Sequence, residues 1–264
     1  MGTRRFMGRK MGGISPGINY VNDTGLLYGY SFRQLKPSAT FSIRQYKTTS
    51  KEVFQDVGFV NGYIDYPSVL SFANGGRTYF ELYNQQTNIL DFVQRNNSLP
   101  SITDNNGQLF MVNDKIYYES FQLQIINFSV TGVNIFMEAG FNRPTGTISS
   151  IAFSAMPSQV WIGYGYTGQT SSAGPGTYYK DGVLISPINR DIFMTAQYLT
   201  NNVHLLTIRG LSLTGKTELI QGYNLSTGAQ FPCNLYHAEL LIYNSAIQTT
   251  NEILNLEQNI MAMY

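Results

Sequence analysis

The chain has 264 residues, of which 43% are apolar and only 12% charged, with a formal net charge of +1 at pH 7. That length and apolar share suit one large hydrophobic core. The near-zero charge offers no attraction to a polyanion such as nucleic acid, and the single cysteine, Cys233, excludes an internal disulfide. Charged residues make up roughly 25% of an ordinary chain, so the polar surface must come from Asn, Gln, Ser, Thr and Tyr. Such a surface suits packed assemblies and sugar contacts, and the 19 Tyr and 16 Phe fit half-buried strands and interfaces.

In chain order, residues 1–19 are expected to form a basic, Gly-rich arm, with Arg4, Arg5, Arg9 and Lys10 as its anchoring charges. The arm is either a free tail or a segment that docks on a partner, with nucleic acid a partner only through this arm. Its opening residues lack the apolar run of a signal peptide. No stretch of about 18 apolar residues predicts a membrane span. Synthesis and folding in a cytoplasm are therefore expected.

Residues 20–264 are expected to form one all-β domain. Phe41, Ile43 and Gln45 alternate with Ser42, Arg44 and Tyr46, the period of a strand. A short helix is predicted near Pro67 to Phe72. Asn61-Gly62, Asn74-Gly75, Asn106-Gly107 and Asp181-Gly182 are hairpin-type turn signals. VNIFMEAGF, SIAFSA, QVWIGYGY, HLLTIRGLSL and AELLIY read as further strands, spaced as in a sandwich or barrel. The Gly- and Ser-rich segment 166–178 is predicted to be a loop. Thr249 and Glu252 have the spacing of a capping box, followed by Ile253, Leu256 and Ile260 on one helical face, so one short helix closes the chain.

Gly210 to Thr217, GLSLTGKT, matches the phosphate-binding loop pattern. That chemistry needs a helix after the loop, and the residues that follow read as strand and turn, so a hairpin is expected. His204 and His237 stand on strands without metal-ligand spacing, and no metal or cofactor is expected. Cys233 reads as a small core residue. Glycoside hydrolysis needs two carboxylates, and Glu81, Asp91, Glu138, Asp181 and Glu239 stand on strands or beside them. Glu138 is distinctive as an acid inside an apolar run. If buried, its pKa would be raised; by simple alternation it lies on the wet face of its strand. Trp161, Tyr164, Tyr166 and Tyr178 are the candidate sugar-stacking residues, core and edge packing being the ordinary use of such rings.

Two stretches resemble known families. Residues 26–88, through Tyr30 to Leu35, Ile43 to Tyr46, Asp56 to Phe59 and Tyr83 to Gln86, are similar to the opening of the arabinofuranosidase B catalytic domain, and more so to phage virion proteins that carry that module. LPSITDNNGQL at 99–109 resembles the segment that follows. Residues 236–264 resemble the closing strand and helix of laminin G-like, concanavalin A-like domains. The resemblance implies an antiparallel β-sandwich of the concanavalin A-like jelly-roll kind, with its first and last strands adjacent. Asn84 stands where the arabinofuranosidases carry Asp, and their Ser-Gly becomes Gln86-Thr87. Met137-Glu138-Ala139 is similar to their nucleophile segment, and no acid/base segment matches. The expectation is a non-enzymatic structural protein of a bacteriophage virion, in the surface, a spike or a fibre, assembled in the host cytoplasm. Its partners would be other virion proteins, further copies of itself and host surface glycans. The alternatives are an arabinofuranosidase-like glycosidase with Glu138 as nucleophile, and a jelly-roll capsid protein with a genome-facing basic arm.

Overall fold

Runs of Val, Ile, Tyr and Phe alternate with polar residues along much of the chain, and such runs hide their apolar face only by pairing and stacking. The computed structural model describes residues 20–94, 101–104, 109–112, 123–126, 131–142, 149–166, 168–186, 188–193, 203–221, 234–246 and 248–263. At some strand positions, Glu138 and His237 among them, it describes the backbone alone. The expected arm at 1–19, the Asn106-Gly107 turn and Cys233 lie outside the described residues.

With strands numbered in chain order, six of those described form one sheet in the order β1 (Leu26–Ser31), β18 (Asn234–Asn244), β11 (Gly132–Asn142), β16 (Val203–Ser212), β14 (Thr177–Lys180) and β15 (Val183–Leu184). The second sheet runs β13 (Val160–Tyr166), β12 (Ser149–Met156), β17 (Glu218–Gln221), β10 (Leu123–Ile126), β7 (Ile89–Gln94), β6 (Thr78–Asn84), β2 (Ile43–Tyr46) and β3 (Phe54–Val57), with β8 (Ser101–Asp104) and β9 (Leu109–Val112) attached at β6. A small hairpin pairs β4 (Phe59–Val60) with β5 (Tyr63–Ile64). Neighbouring strands are antiparallel, and the first described strand, β1, pairs with the last, β18. The architecture is the β-sandwich expected, with one short helix at its C-terminal end.

Strict alternation gives the six-stranded sheet two buried faces. Met137, Leu206, Ile208, Leu240 and Ile242 point between the sheets, against Phe80, Phe92, Phe153 and Ile162 of the other sheet. Phe136, Leu205, Leu241 and Tyr243 point the other way, where Ile253, Leu256 and Ile260 of helix α2 (Thr250–Met263) cover them. The capping box forms: the Glu252 carboxylate accepts the Thr249 N–H at 2.7 Å, and the Thr249 hydroxyl accepts the Glu252 N–H at 3.3 Å.

Of the turn signals, Asn61-Gly62 and Asp181-Gly182 take positive φ and join β4 to β5 and β14 to β15. Asn74 differs. It ends helix α1 (Tyr66–Ala73) in the left-handed conformation, φ 49°, instead of making a hairpin. The GLSLTGKT segment runs from β16 through a turn into β17, and the Lys216 ammonium donates to the carbonyls of Pro157 and Ser158. No helix N-terminus stands there to hold a phosphate.

One polar cluster lies inside this apolar frame. Arg33, just after β1, donates from Nε and Nη2 to the two oxygens of Glu239 on β18, at 2.6 and 2.7 Å. The Ser31 hydroxyl donates to the same carboxylate at 2.9 Å, and Arg33 Nη2 also reaches Asn259 of α2 at 3.0 Å. Arg33 is 2% exposed and Glu239 0%. Removing one partner strands a buried charge. Arg33→Ala is therefore expected to cost about 3–5 kcal/mol of unfolding free energy in urea, and the double replacement Arg33→Met with Glu239→Leu to recover most of it. Equal losses in both proteins would contradict this reading.

Candidate functional site

Most of the carboxylates singled out in the sequence have structural partners. Glu81 is 2% exposed and accepts from the Tyr46 hydroxyl and the Lys51 ammonium, each at 2.5 Å. Asp181, in the β14–β15 turn, accepts the Leu205 N–H at 2.9 Å and pairs with His204 Nδ1 at 2.7 Å. Burial alone would push its pKa up, but these two partners hold the carboxyl below its ordinary value. His204 thus serves to anchor a turn to β16. Among the described residues no group of three or more His, Cys, Asp or Glu could hold a metal ion.

Glu138 lies on β11, with β16 on one side and β18 on the other. It is directly opposite Leu205 across one ladder and directly opposite Glu239 across the other. Directly opposite positions in an antiparallel pair have Cβ atoms about 4.5–5.5 Å apart, so the register sets two glutamates side by side well inside the sheet. The Glu138 side chain lies outside the described residues. The Glu239 side chain is held in place by the two Arg33 hydrogen bonds and the Ser31 hydroxyl. The pairing of Arg33 with Glu239 escaped the sequence reading, although an acid opening the apolar run ELLIY was its visible signal. Further along β16, Arg209 Nη2 bonds Glu257 of α2 at 2.7 Å and its guanidinium lies over the Tyr179 ring at 3.8 Å.

Asp91 is the other carboxyl with chemical interest. Leu82 pairs with Phe92 while Tyr83 pairs with Leu90, so Asp91 is the extra residue of a bulge on β7. It accepts from the Tyr30 hydroxyl at 2.8 Å and from Asn84 Nδ2 at 3.0 Å. Burial pushes its pKa up, and the two hydrogen bonds offset this only in part.

The candidate sugar residues divide. Trp161, Tyr164 and Tyr166 come together along β13, with ring centroids 4.9 Å apart for the first pair and 6.4 Å for the second. Tyr178 is wholly buried, edge-on to Phe193, and its hydroxyl accepts the Gly163 N–H at 3.0 Å. It is part of the core and has no surface for a ligand. Arg190, which the sequence reading passed over, lies on the Tyr164 ring at 4.2 Å. The charges Arg4, Arg5, Arg9 and Lys10 lie outside the described residues.

No family model matches the sequence, and no curated protein matches it. Two solved structures share its fold. One is a GH54 α-L-arabinofuranosidase soaked with a cyclic sulfate inhibitor, with a TM-score of 0.58. The other is a glutamate-to-glutamine mutant of a GH54 α-L-arabinofuranosidase soaked with 4-nitrophenyl α-L-arabinofuranoside, with a TM-score of 0.56. The fold is like that of the GH54 arabinofuranosidases. Each match has 12% identity and covers 91% of this chain and 63% of the neighbour, so the GH54-like sandwich spans less than two thirds of those enzymes' length. At such identity the likeness establishes the scaffold. It also corrects one expectation: the sequence was read as a non-enzymatic structural protein, whereas the solved structures that share its fold are glycosidases.

The Asp91 environment sets a pH dependence. A carboxyl whose pKa is raised by folding contributes stability that is fully present below its unfolded value, about 3.9, and is lost as pH rises through the folded value. Asn cannot ionise. The stability of Asp91→Asn relative to the unaltered protein is therefore expected to improve as pH rises from about 4 to 7, read from urea midpoints across that range. A flat or opposite trend would show that burial does not raise the Asp91 pKa.

Proposed function

We propose that the GH54-like sandwich is a glycoside hydrolase acting on arabinofuranoside-type substrates, with Glu138 as nucleophile. The observation that carries this reading is the likeness of the scaffold to arabinofuranosidases over 91% of the chain. The backbone position of Glu138, opposite Glu239, adds to it. In a retaining mechanism a carboxylate attacks the anomeric carbon as the bond to the departing oxygen breaks; a second carboxyl protonates that oxygen, and water then releases the sugar from the enzyme. Glu239 is engaged at both oxygens by Arg33 and Ser31 and so is not free to meet a departing sugar oxygen. Its part is to fix the strand beside Glu138, with Arg33 balancing the negative charge there.

The resemblance of residues 26–88 to phage virion proteins supports a location for this activity: a virion surface, where it would act on host glycans among other virion proteins. Stoichiometric presence of the chain in purified particles tests that location, and its absence from them rejects it.

The activity itself is tested with 4-nitrophenyl α-L-arabinofuranoside. Release of nitrophenol by the full chain, falling by about 10³-fold or more in Glu138→Gln, is the expected result. No release by the unaltered protein, or equal release by the variant, rejects the proposal.

A further inference from the structure

β13 is an end strand of the second sheet, and its aromatic residues do not follow the alternation of an ordinary strand. Trp161 and Tyr164, three apart, would face opposite sides. Gly163 changes this. Its φ is +68°, and a Cβ there would meet Phe193 and Ala152 inside the core at 2.8 and 2.9 Å. Ile162 and Gly163 therefore both turn inward, and Trp161 and Tyr164 both turn outward, with Tyr166 next along the same side.

Arg190 completes the surface. Its guanidinium carbon lies 4.2 Å from the Tyr164 ring centroid and 5.6 Å from that of Trp161. Its backbone N–H donates to the Ser171 carbonyl at 2.9 Å, and its Nε to the Ser172 carbonyl at 3.3 Å. Among the described residues no carboxylate pairs with it. The adjacent Asp191 is turned to the Gly168 N–H at 2.7 Å. Tyr164 is 6% exposed beneath the guanidinium, while Trp161, Tyr166 and Arg190 are half-buried. A cation over the Tyr164 ring, with the Trp161 ring beside it and Tyr166 next to Tyr164, offers donors to an anion and ring faces to a sugar.

We propose that this surface binds an acidic glycan, with a sugar carboxylate on Arg190 and a neighbouring ring against Trp161 and Tyr166. The proposal stands on geometry at the edge of the second sheet, whereas β11 belongs to the first, and so is independent of hydrolysis at Glu138.

Trp161 is the only tryptophan in the chain, so its fluorescence reads this surface directly. Oligogalacturonate is expected to give a saturable change that weakens with added salt, while a neutral arabino-oligosaccharide of equal length gives at least about tenfold weaker binding. Arg190→Gln should lower oligogalacturonate affinity about tenfold or more, Tyr166→Ala should lower it too, and Glu138→Gln should leave it unchanged. Equal affinity for the neutral sugar overturns the proposal, as does the absence of a saturable change. Should Arg190→Gln fail to fold, Tyr166→Ala decides, and unaltered binding in that variant overturns the proposal as well.

Discussion

β1 closes on β18, and a buried ion pair locks that closure to the terminal helix. Arg33 leaves the end of β1, Glu239 stands on β18, and Asn259 of α2 takes a further Arg33 hydrogen bond. An isolated charge in such a place would be costly. The arginine, the glutamate and the Ser31 hydroxyl must therefore arrive together, which fixes the register of β1 against β18 and the seat of α2 over both. Every strand of the six-stranded sheet is then set from this edge inward.

That constraint reaches the proposed chemistry through one further ladder. β11 pairs with β18 so that Glu138 is opposite Glu239, and with β16 so that Glu138 is opposite Leu205. Leu205 is itself held by Asp181, whose carboxylate takes its N–H. The strand that bears the proposed nucleophile is thus braced on both sides by buried or half-buried polar anchors. Rigid elements of this kind hold a reacting group more accurately than loops do. Helix α2 covers the apolar positions beside them, tied down by Arg33 to Asn259 and Arg209 to Glu257.

Much of this frame was legible in the sequence because it is written in local chemistry. The Asp181-Gly182 turn, the Thr249–Glu252 cap and the Ile253, Leu256 and Ile260 stripe each depend on residues within a few positions of one another. Asn74-Gly75 was misread because a left-handed Asn serves a helix C-cap as well as a hairpin. The burial of Tyr178 was hidden because alternation among Thr177, Tyr178 and Tyr179 does not say which face meets the core. The stripe of Trp161, Tyr164 and Tyr166 was visible along its strand, but its geometry turns on the conformation of Gly163, packed against Phe193 thirty residues on. Arg33 with Glu239, and Asp91 with Tyr30, join distant segments that no local pattern connects. The expectation of a non-enzymatic protein gave way for a different reason: it weighed the missing acid/base segment, whereas the scaffold itself proved to be one shared with glycosidases.

The central claim, that Glu138 is the nucleophile of a glycosidase on this scaffold, is tested most directly by covalent trapping. The full chain would be incubated with a mechanism-based furanoside inactivator, its intact mass measured, and the modified residue located by peptide mapping. A single sugar adduct on Glu138, absent from Glu138→Gln, is the predicted result. An unmodified chain, or an adduct on any other residue, would contradict it.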